Sequence, residues 1–496
     1  MLLQHCAPAG SLPLAHGPAA SGPTRPCLSS VARSGSDSAG GSSMHGIALV
    51  PLAGVDPGVE ARLLIVLLQL SVIILVARLF GLLFRWMGQS VVVGEIAGGL
   101  MLGPSVLGRL DAVPLLHGVH STIFDPSVEP VFQVLSQLGL IFLLFLIGLE
   151  FDFSHLRLHG RAAVSISVVG IVLPFTMGLG LAWAMLPHLE KAVQPLGFAL
   201  FMGTAMSITA IPILGRLMME LNITRTRLGA ITITAAATDD ALGWIILASV
   251  GAMVRANFQL LSSLRMVGLT VAFAAAMVLL ARPLLGRWIA WSMRRNNGAL
   301  GLGALASLLV GIFLCAMATN LIGIFSIFGA FVLGAVLSDQ YEFRQAVAQQ
   351  LRNFVTVFFL PIFFTYTGLR TDIGTLDSPL LWGLAVLVSA TAIAGKFGGC
   401  ALAAWLSGMT AREAGCVGVM MNTRALMELI VINVGYDLGV LPRSAFTMLV
   451  IMALLTTLMT TPILLRLLRG TELEPLVRQS ELARRDAPAR SAYTCP

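Results

Sequence analysis

Long apolar runs alternate with short polar breaks along the chain, and their length points to a fold class before any other property is considered. About 20 apolar residues cross a bilayer as a helix. Beyond residue 60, thirteen runs approach or exceed that length, at about 63–86, 90–108, 131–150, 161–186, 196–219, 227–253, 263–281, 299–320, 322–338, 352–370, 380–406, 413–435 and 444–468. The pattern predicts an all-α polytopic membrane protein of about 13 transmembrane helices, because helices satisfy their own backbone groups in lipid. Ahead of it, residues 1–60 are rich in Gly, Ser, Pro and Ala and read as a disordered tail, and the abrupt change in composition nominates Met44 as an alternative start of translation. Residues 61–470 form the membrane domain and 471–496 a short polar tail.

The runs group as six, one and six, which suggests an internal repeat: 63–253, a linker helix at 263–281, and 299–468. Gly148-Leu149-Glu150-Phe151-Asp152, closing the third run, resembles Gly368-Leu369-Arg370-Thr371-Asp372, closing the tenth. Leu102-Gly103 in the second corresponds to Leu333-Gly334 in the ninth. Gly203, Met206 and Ala210 in the fifth align without gaps to Gly418, Met421 and Ala425 in the twelfth. Partners seven segments apart have opposite orientation, so the repeat is inverted, as in secondary transporters.

Composition then narrows the class. Hydrophobic residues make up 57% of the 496 and charged residues 11%, which excludes an ordinary soluble protein. The net charge of +7 comes from arginines in short connections, so it argues for orientation in a membrane and not for nucleic acid. Arg85, Arg157, Arg161, Arg216, Arg225, Arg227, Arg282, Arg287, Arg294, Arg295, Arg344, Arg352 and Arg412 mark one side, which places the amino terminus outside and the carboxyl terminus in the cytoplasm. A bacterial inner (plasma) membrane is the expected location. No cysteine spacing or deep histidine offers a metal site, so no cofactor is expected, and no metal beyond a transported ion.

Scarce charge makes the deep polar residues informative. Asp239 and Asp240 sit mid-run in Ala-Ala-Ala-Thr-Asp-Asp-Ala-Leu-Gly-Trp, where each carboxylate costs roughly 3 kcal/mol or more to insert. Neighbours on a helix point about 100° apart, so one can face water while the other faces a helix. A carboxylate there can hold a proton or a small cation. Lys396, one of only two lysines, lies mid-run among small residues, and a lysine where arginine is the rule suggests a group that can release its proton. A permanent structural ion pair is the alternative. Pro212 interrupts helical bonding in the fifth run, where Ser207 and Thr209 offer oxygen ligands. Asn422, Thr423, Arg424 and Glu428 place polar groups in the repeat-related twelfth run, and Arg424 and Glu428, four residues apart, can pair along one face as a support for half-helix ends. Two broken helices at corresponding places are the pattern of an ion site. Glu95, early in the second run, is a further candidate for the site, with an interfacial structural carboxylate as the favoured reading.

Gly94-Glu95-Ile96 through Gly103-Pro104-Ser105, Gly148 to Asp152, Gly203-Thr-Ala-Met-Ser, Asp239-Asp240, Lys396 and Asn422-Thr-Arg together resemble the cation:proton antiporter-2 family, over nearly all of 63–468. The likeness is to the sodium/proton exchanger branch, since the potassium-efflux branch usually has Gln-Asp in place of Asp-Asp. The resemblance implies a sodium/proton antiporter-like fold with crossing broken helices, and a homodimer with a dimerisation bundle and a moving core. It also implies Asp240 as carrier of ion and proton and Asp239 as the salt-bridge partner of Lys396. The expected function is electrogenic exchange of Na+, or Li+, for protons by alternating access, with no enzymatic activity. A K+/H+ antiporter or K+ efflux system with the same residues is the alternative, because sequence does not display cavity size. A cation channel is a more distant option. An intramembrane aspartyl protease is remote, because its two aspartates must face each other from separate helices.

Overall fold

The computed structural model describes residues 59–110, 123–150, 160–189, 193–221, 226–256, 259–295, 300–424 and 426–469, together with Ile223, Thr471 and 473–478. The amino-terminal tail expected over 1–60 lies outside them except for its last two residues, as do Ala425 and most of the carboxyl-terminal tail. Among the described residues the regular structure is helical. The first half contains α1 (Val59–Trp86), α2 (Val91–Leu102), α3 (Glu129–Glu150), α4 (Gly160–Met185), α5 (Pro195–Ser207), α6 (Ile211–Glu220) and α7 (Arg227–Arg255). There follow α8 (Leu260–Ala276) and α9 (Arg282–Arg295), then α10 (Leu302–Ile322), α11 (Ser326–Leu337), α12 (Tyr341–Phe354) and α13 (Leu360–Arg370). The chain closes with α14 (Pro379–Ile393), α15 (Gly399–Leu406), α16 (Ala411–Met421), α17 (Leu426–Asp437) and α18 (Arg443–Leu468).

Every apolar run contains helix, but the runs differ in length as helices. Among the described residues ten helices are long and apolar enough to cross a membrane, or eleven if α16 and α17, bent by 42° at their break, count as one span. The runs at 196–219 and 322–338 hold shorter helices: α5 stops at Ser207 before the backbone becomes extended through 208–210, and α11 has 12 residues. Helix also persists where the hydropathy pattern suggested connections, through Arg282–Arg295 and Tyr341–Phe354. Backbone hydrogen bonding does not stop at the edge of an apolar run, and α12 keeps Phe343 and Val347 buried while its charged face remains outside.

The helices gather into two bundles. One joins α1, α2, α3, α10, α11 and α13; the other joins α4 to α7 with α14 to α18, and α8 touches both α7 and α10. Glycines matched across the repeat hold the first bundle at backbone contact. A Cβ on Gly148 of α3 would collide with the Phe331 carbonyl of α11, and one on Gly334 of α11 with the Phe145 carbonyl of α3. The equivalent approach joins α2 to α13, where a Cβ on Gly103 would lie 3.0 Å from the Gly368 oxygen. The two weak sequence matches, 148 with 368 and 103 with 334, thus occupy the two faces of an exchanged pair of contacts, as small residues do where membrane helices approach closely.

Three helices carry a π-turn, at Met277–Ala281, Val355–Phe359 and Ala394–Gly398. In the second, Leu360 N donates to Val355 O, and the next donor along would be Pro361, which has none. Arg78 Nη2 of α1 takes the stranded Thr356 carbonyl at 2.9 Å. Between the bundles, Arg370 at the end of α13 pairs with Asp437 at the end of α17 (Nη1 to Oδ1, 2.7 Å), its guanidinium lying over the Tyr366 ring at 4.3 Å and near Tyr436 at 5.3 Å. One turn deeper, Asn433 Nδ2 donates to Thr367 Oγ1 at 2.9 Å.

Candidate functional site: two broken helices and a buried ion pair

A helix leaves its last four carbonyls without intrahelical donors, and in lipid each must find one. At the end of α5 all four are accounted for. Thr204 O accepts from Ser207 Oγ (2.9 Å), Ala205 O from Arg424 Nη1 (2.7 Å) and Met206 O from Arg424 Nη2 (2.6 Å), while Ser207 O accepts from Lys396 Nζ. Two cations thereby face the negative end of a half-helix, where its dipole favours them. The fork of Arg424 suits two adjacent carbonyls, a geometry that lysine cannot reproduce. Glu428 Oε2 lies 3.3 Å from Arg424 Nη1, the i,i+4 pair expected from sequence, and both side chains are fully buried. The half-helix end that Arg424 satisfies belongs to the other repeat.

The two breaks cross. Ala210 N, in the gap between α5 and α6, donates to Thr423 O at 3.0 Å, and Thr209 Oγ1 donates to Met421 O at 2.8 Å. Thr457 Oγ1 of α18 lies 3.0 Å from Arg424 O. Non-helical backbone at 208–210 and 422–424 is tolerated at this depth because each segment of the crossing supplies partners for the other. Pro212 stands within the first turn of α6, where a missing N–H costs nothing.

Lys396 reaches the crossing from the π-turn Ala394–Gly398. Its Nζ is 2.9 Å from each Asp239 oxygen and 2.9 Å from Gly170 O, besides Ser207 O. Gly170 O is available because the helical donor four residues on would be Pro174, which lies inside α4 and has no N–H. Asp239 and Lys396 are both completely buried. Asp240, next along α7, is 1% exposed, and its Oδ1 has no hydrogen-bond partner among the described residues. The aspartates therefore differ sharply: Asp239 is saturated by an ammonium and Asp240 retains a bare oxygen. An unpaired buried carboxylate is costly, and a proton or a bound cation relieves that cost.

Sequence reasoning brought forward Asp239, Asp240, Lys396, Ser207, Thr209, Arg424 and Glu428, and the crossing joins all of them except Asp240 by direct contact. Asn422, 2% exposed, keeps an unpartnered Oδ1, and Thr423 Oγ1 faces Thr460 at 3.4 Å. Glu95 is buried, 3% exposed, and lies 3.7 Å from Arg78 Nη1. The hydropathy pattern placed Glu95 near a segment end, but packing of α1 against α2 covers it. The Gly170 carbonyl, Arg78 and the threonines of α18 escaped the sequence reading. Pro174 and the cluster Thr456, Thr457, Thr460 and Thr461 were the available signals.

Comparison with known proteins identifies the family. Residues 71–468 match the family described as sodium/hydrogen exchanger, transmembrane. The chain is 40% identical over 407 residues to the Na+/H+ antiporter NhaS4 of Synechocystis sp., covering 82% of this chain and 97% of that protein. It is 37% identical to cation/H+ antiporter 18 of Arabidopsis thaliana over 83% of this chain and 50% of that protein, so it spans about half the length of the plant relative. Among solved structures, the sodium proton antiporter MjNhaP1 of Methanocaldococcus jannaschii superposes with a TM-score of 0.58 at 15% identity, covering 84% of this chain and 99% of that one; this likeness bears on the fold alone.

Proposed function

The chain belongs to the sodium/hydrogen exchanger family, and from that premise we propose that it exchanges a monovalent cation, Na+ or Li+, for protons by alternating access, with Asp240 as the carrier. It is an integral membrane protein of a family of transporters, not of enzymes. The observation that carries the proposal is the inequality of the two aspartates: Asp239 holds Lys396, and Asp240 Oδ1 is buried without a partner. One bare carboxylate can take a proton or a cation but not both, so loading one expels the other. This competition is the coupling.

Lys396 has three protons, and Asp239, Gly170 O and Ser207 O absorb them. In this reading its proton leaves only when the pair to Asp239 opens, which would add a second proton to each cycle and make exchange electrogenic. The backbone at the crossing supplies the pivot, since half-helices can shift without breaking a continuous ladder. Thirteen crossings, an outside amino terminus and a homodimer complete the proposal, supported by the apolar runs, the arginine-rich connections and the family resemblance. K+ is the competing cation.

Transport in proteoliposomes under a clamped potential tests the reading. Asp240→Asn is expected to abolish cation-driven proton movement, and full exchange in that variant would overturn it. In the parent protein the apparent KM for Na+ should rise as pH falls, because protons and sodium compete for one carboxylate; a KM independent of pH would show that the two do not share a site.

A further inference from the structure

A narrow cleft of about 20 Å³, room for about one water-sized guest, opens where the two bundles meet, between the turn joining α1 to α2 and the carboxyl-terminal half of α18, and it reaches the α16–α17 break at Thr423. Its polar lining is neutral: Gln89 and Ser90 on one wall, Thr423, Thr457, Thr460 and Thr461 on the other. On the threonine wall the hydroxyls of Thr423, Thr457 and Thr460 have acceptors for their protons. Thr457 Oγ1 lies 2.8 Å from Ala453 O, Thr460 Oγ1 donates to Thr456 O at 2.9 Å, and Thr423 Oγ1 lies 3.4 Å from Thr460 Oγ1. Such hydroxyls can offer a guest only oxygen lone pairs. Opposite them, Ser90 Oγ is buried with no hydrogen-bond partner among the described residues.

The threonine wall presents oxygen lone pairs, and the lining carries no cationic side chain to hold an anion. It also lacks the carboxylates with which divalent cations are usually held. It suits a monovalent cation exchanging part of its water shell for protein oxygen. We propose that this cleft is a second, weaker cation site, a staging point in front of the crossing, and that the oxygens of Ser90, Thr460 and Thr461 help to determine which alkali cation proceeds. The inference rests on the antiport reading above and adds to it Ser90, Thr460 and Thr461, none of which that reading uses.

The test compares the parent protein with Thr460→Val, Thr461→Val and Ser90→Ala in proteoliposomes, measuring initial rates over a range of Na+, Li+ and K+ concentrations at fixed pH. The KM for the cation should rise roughly 3- to 10-fold for each oxygen removed, unequally among the three cations. Thr461→Ser, which keeps the oxygen, should restore the parental KM. Exchange in the variants with parental KM values for all three cations would overturn the staging site. Ser90→Ala keeps that outcome accessible if a threonine variant fails to assemble, because Ser90 Oγ has no bond in the fold to lose. Absence of exchange in the parent protein would instead sink the antiport reading itself.

Discussion

Lys396 shows how much one residue can be asked to hold. Its ammonium satisfies a buried carboxylate and two carbonyls from different helices. Lys396→Met should therefore leave Asp239 buried and uncompensated and strand two acceptors, at a cost of about 3–5 kcal/mol, visible as a large fall in Tm in detergent. Combining it with Asp239→Asn should recover part of that loss, since the unpaired charge is then absent; if the double variant is no more stable than the single, the pair is not the source of the effect. Arg424→Lys should lose one of the two carbonyl bonds at 205 and 206, costing about 1–3 kcal/mol, and lower exchange. The charged members of this cluster were legible in the sequence because charge is rare in the apolar runs. Their acceptors were not, since every residue owns a carbonyl, and only Pro174 marks which one is stranded.

At the level of the element, interruptions matter more than regularity. The helical runs were legible from hydropathy, but the break between α5 and α6 was marked only by Pro212, because 208–210 is as apolar as its flanks. The break depends on partners from α16 and α17, which local sequence does not contain. Pro174→Ala should supply a backbone donor to Gly170 O and so compete with Lys396 for it. The expected outcome is slower exchange with unchanged or higher Tm, read by proteoliposome flux and thermal melting; unchanged flux would show that this carbonyl does not help to place the lysine. Gly334→Val should destabilise by about 1–3 kcal/mol or more through collision with the Phe145 carbonyl. Gly303→Ala, where a Cβ meets open space, should shift stability by no more than about 0.5 kcal/mol.

At the scale of the molecule, the two bundles touch differently at their two ends. One end carries Arg370–Asp437 between two tyrosines and the amide of Asn433 on Thr367. There Arg255 of α7 also lies over the Phe325 ring, 4.2 Å from its centroid, next to the α10–α11 turn. The cleft at Ser90 and Thr460 occupies the other junction. Sequence reasoning found the repeat but not this asymmetry, because an inverted repeat is equally compatible with closure at either end. Asp437→Asn should loosen the closed end, raising the labelling rate of an Asn433→Cys reporter by a membrane-impermeant thiol reagent; equal labelling with and without the change would show that the ion pair does not hold the bundles together.

The seam at Arg370 has a kinetic meaning. A cation arriving from the cleft side meets hydroxyl oxygens at once, whereas one arriving from the other side must wait for a guanidinium to leave its carboxylate and slide from between two rings. An ion pair this close to the surface is worth only about 0–1 kcal/mol, so the delay is modest, and it acts as a ratchet tooth more than a lock. Vesicles carrying the protein in opposite orientations would then run at unequal speeds under mirror-image gradients, although thermodynamics sets the same end point for both.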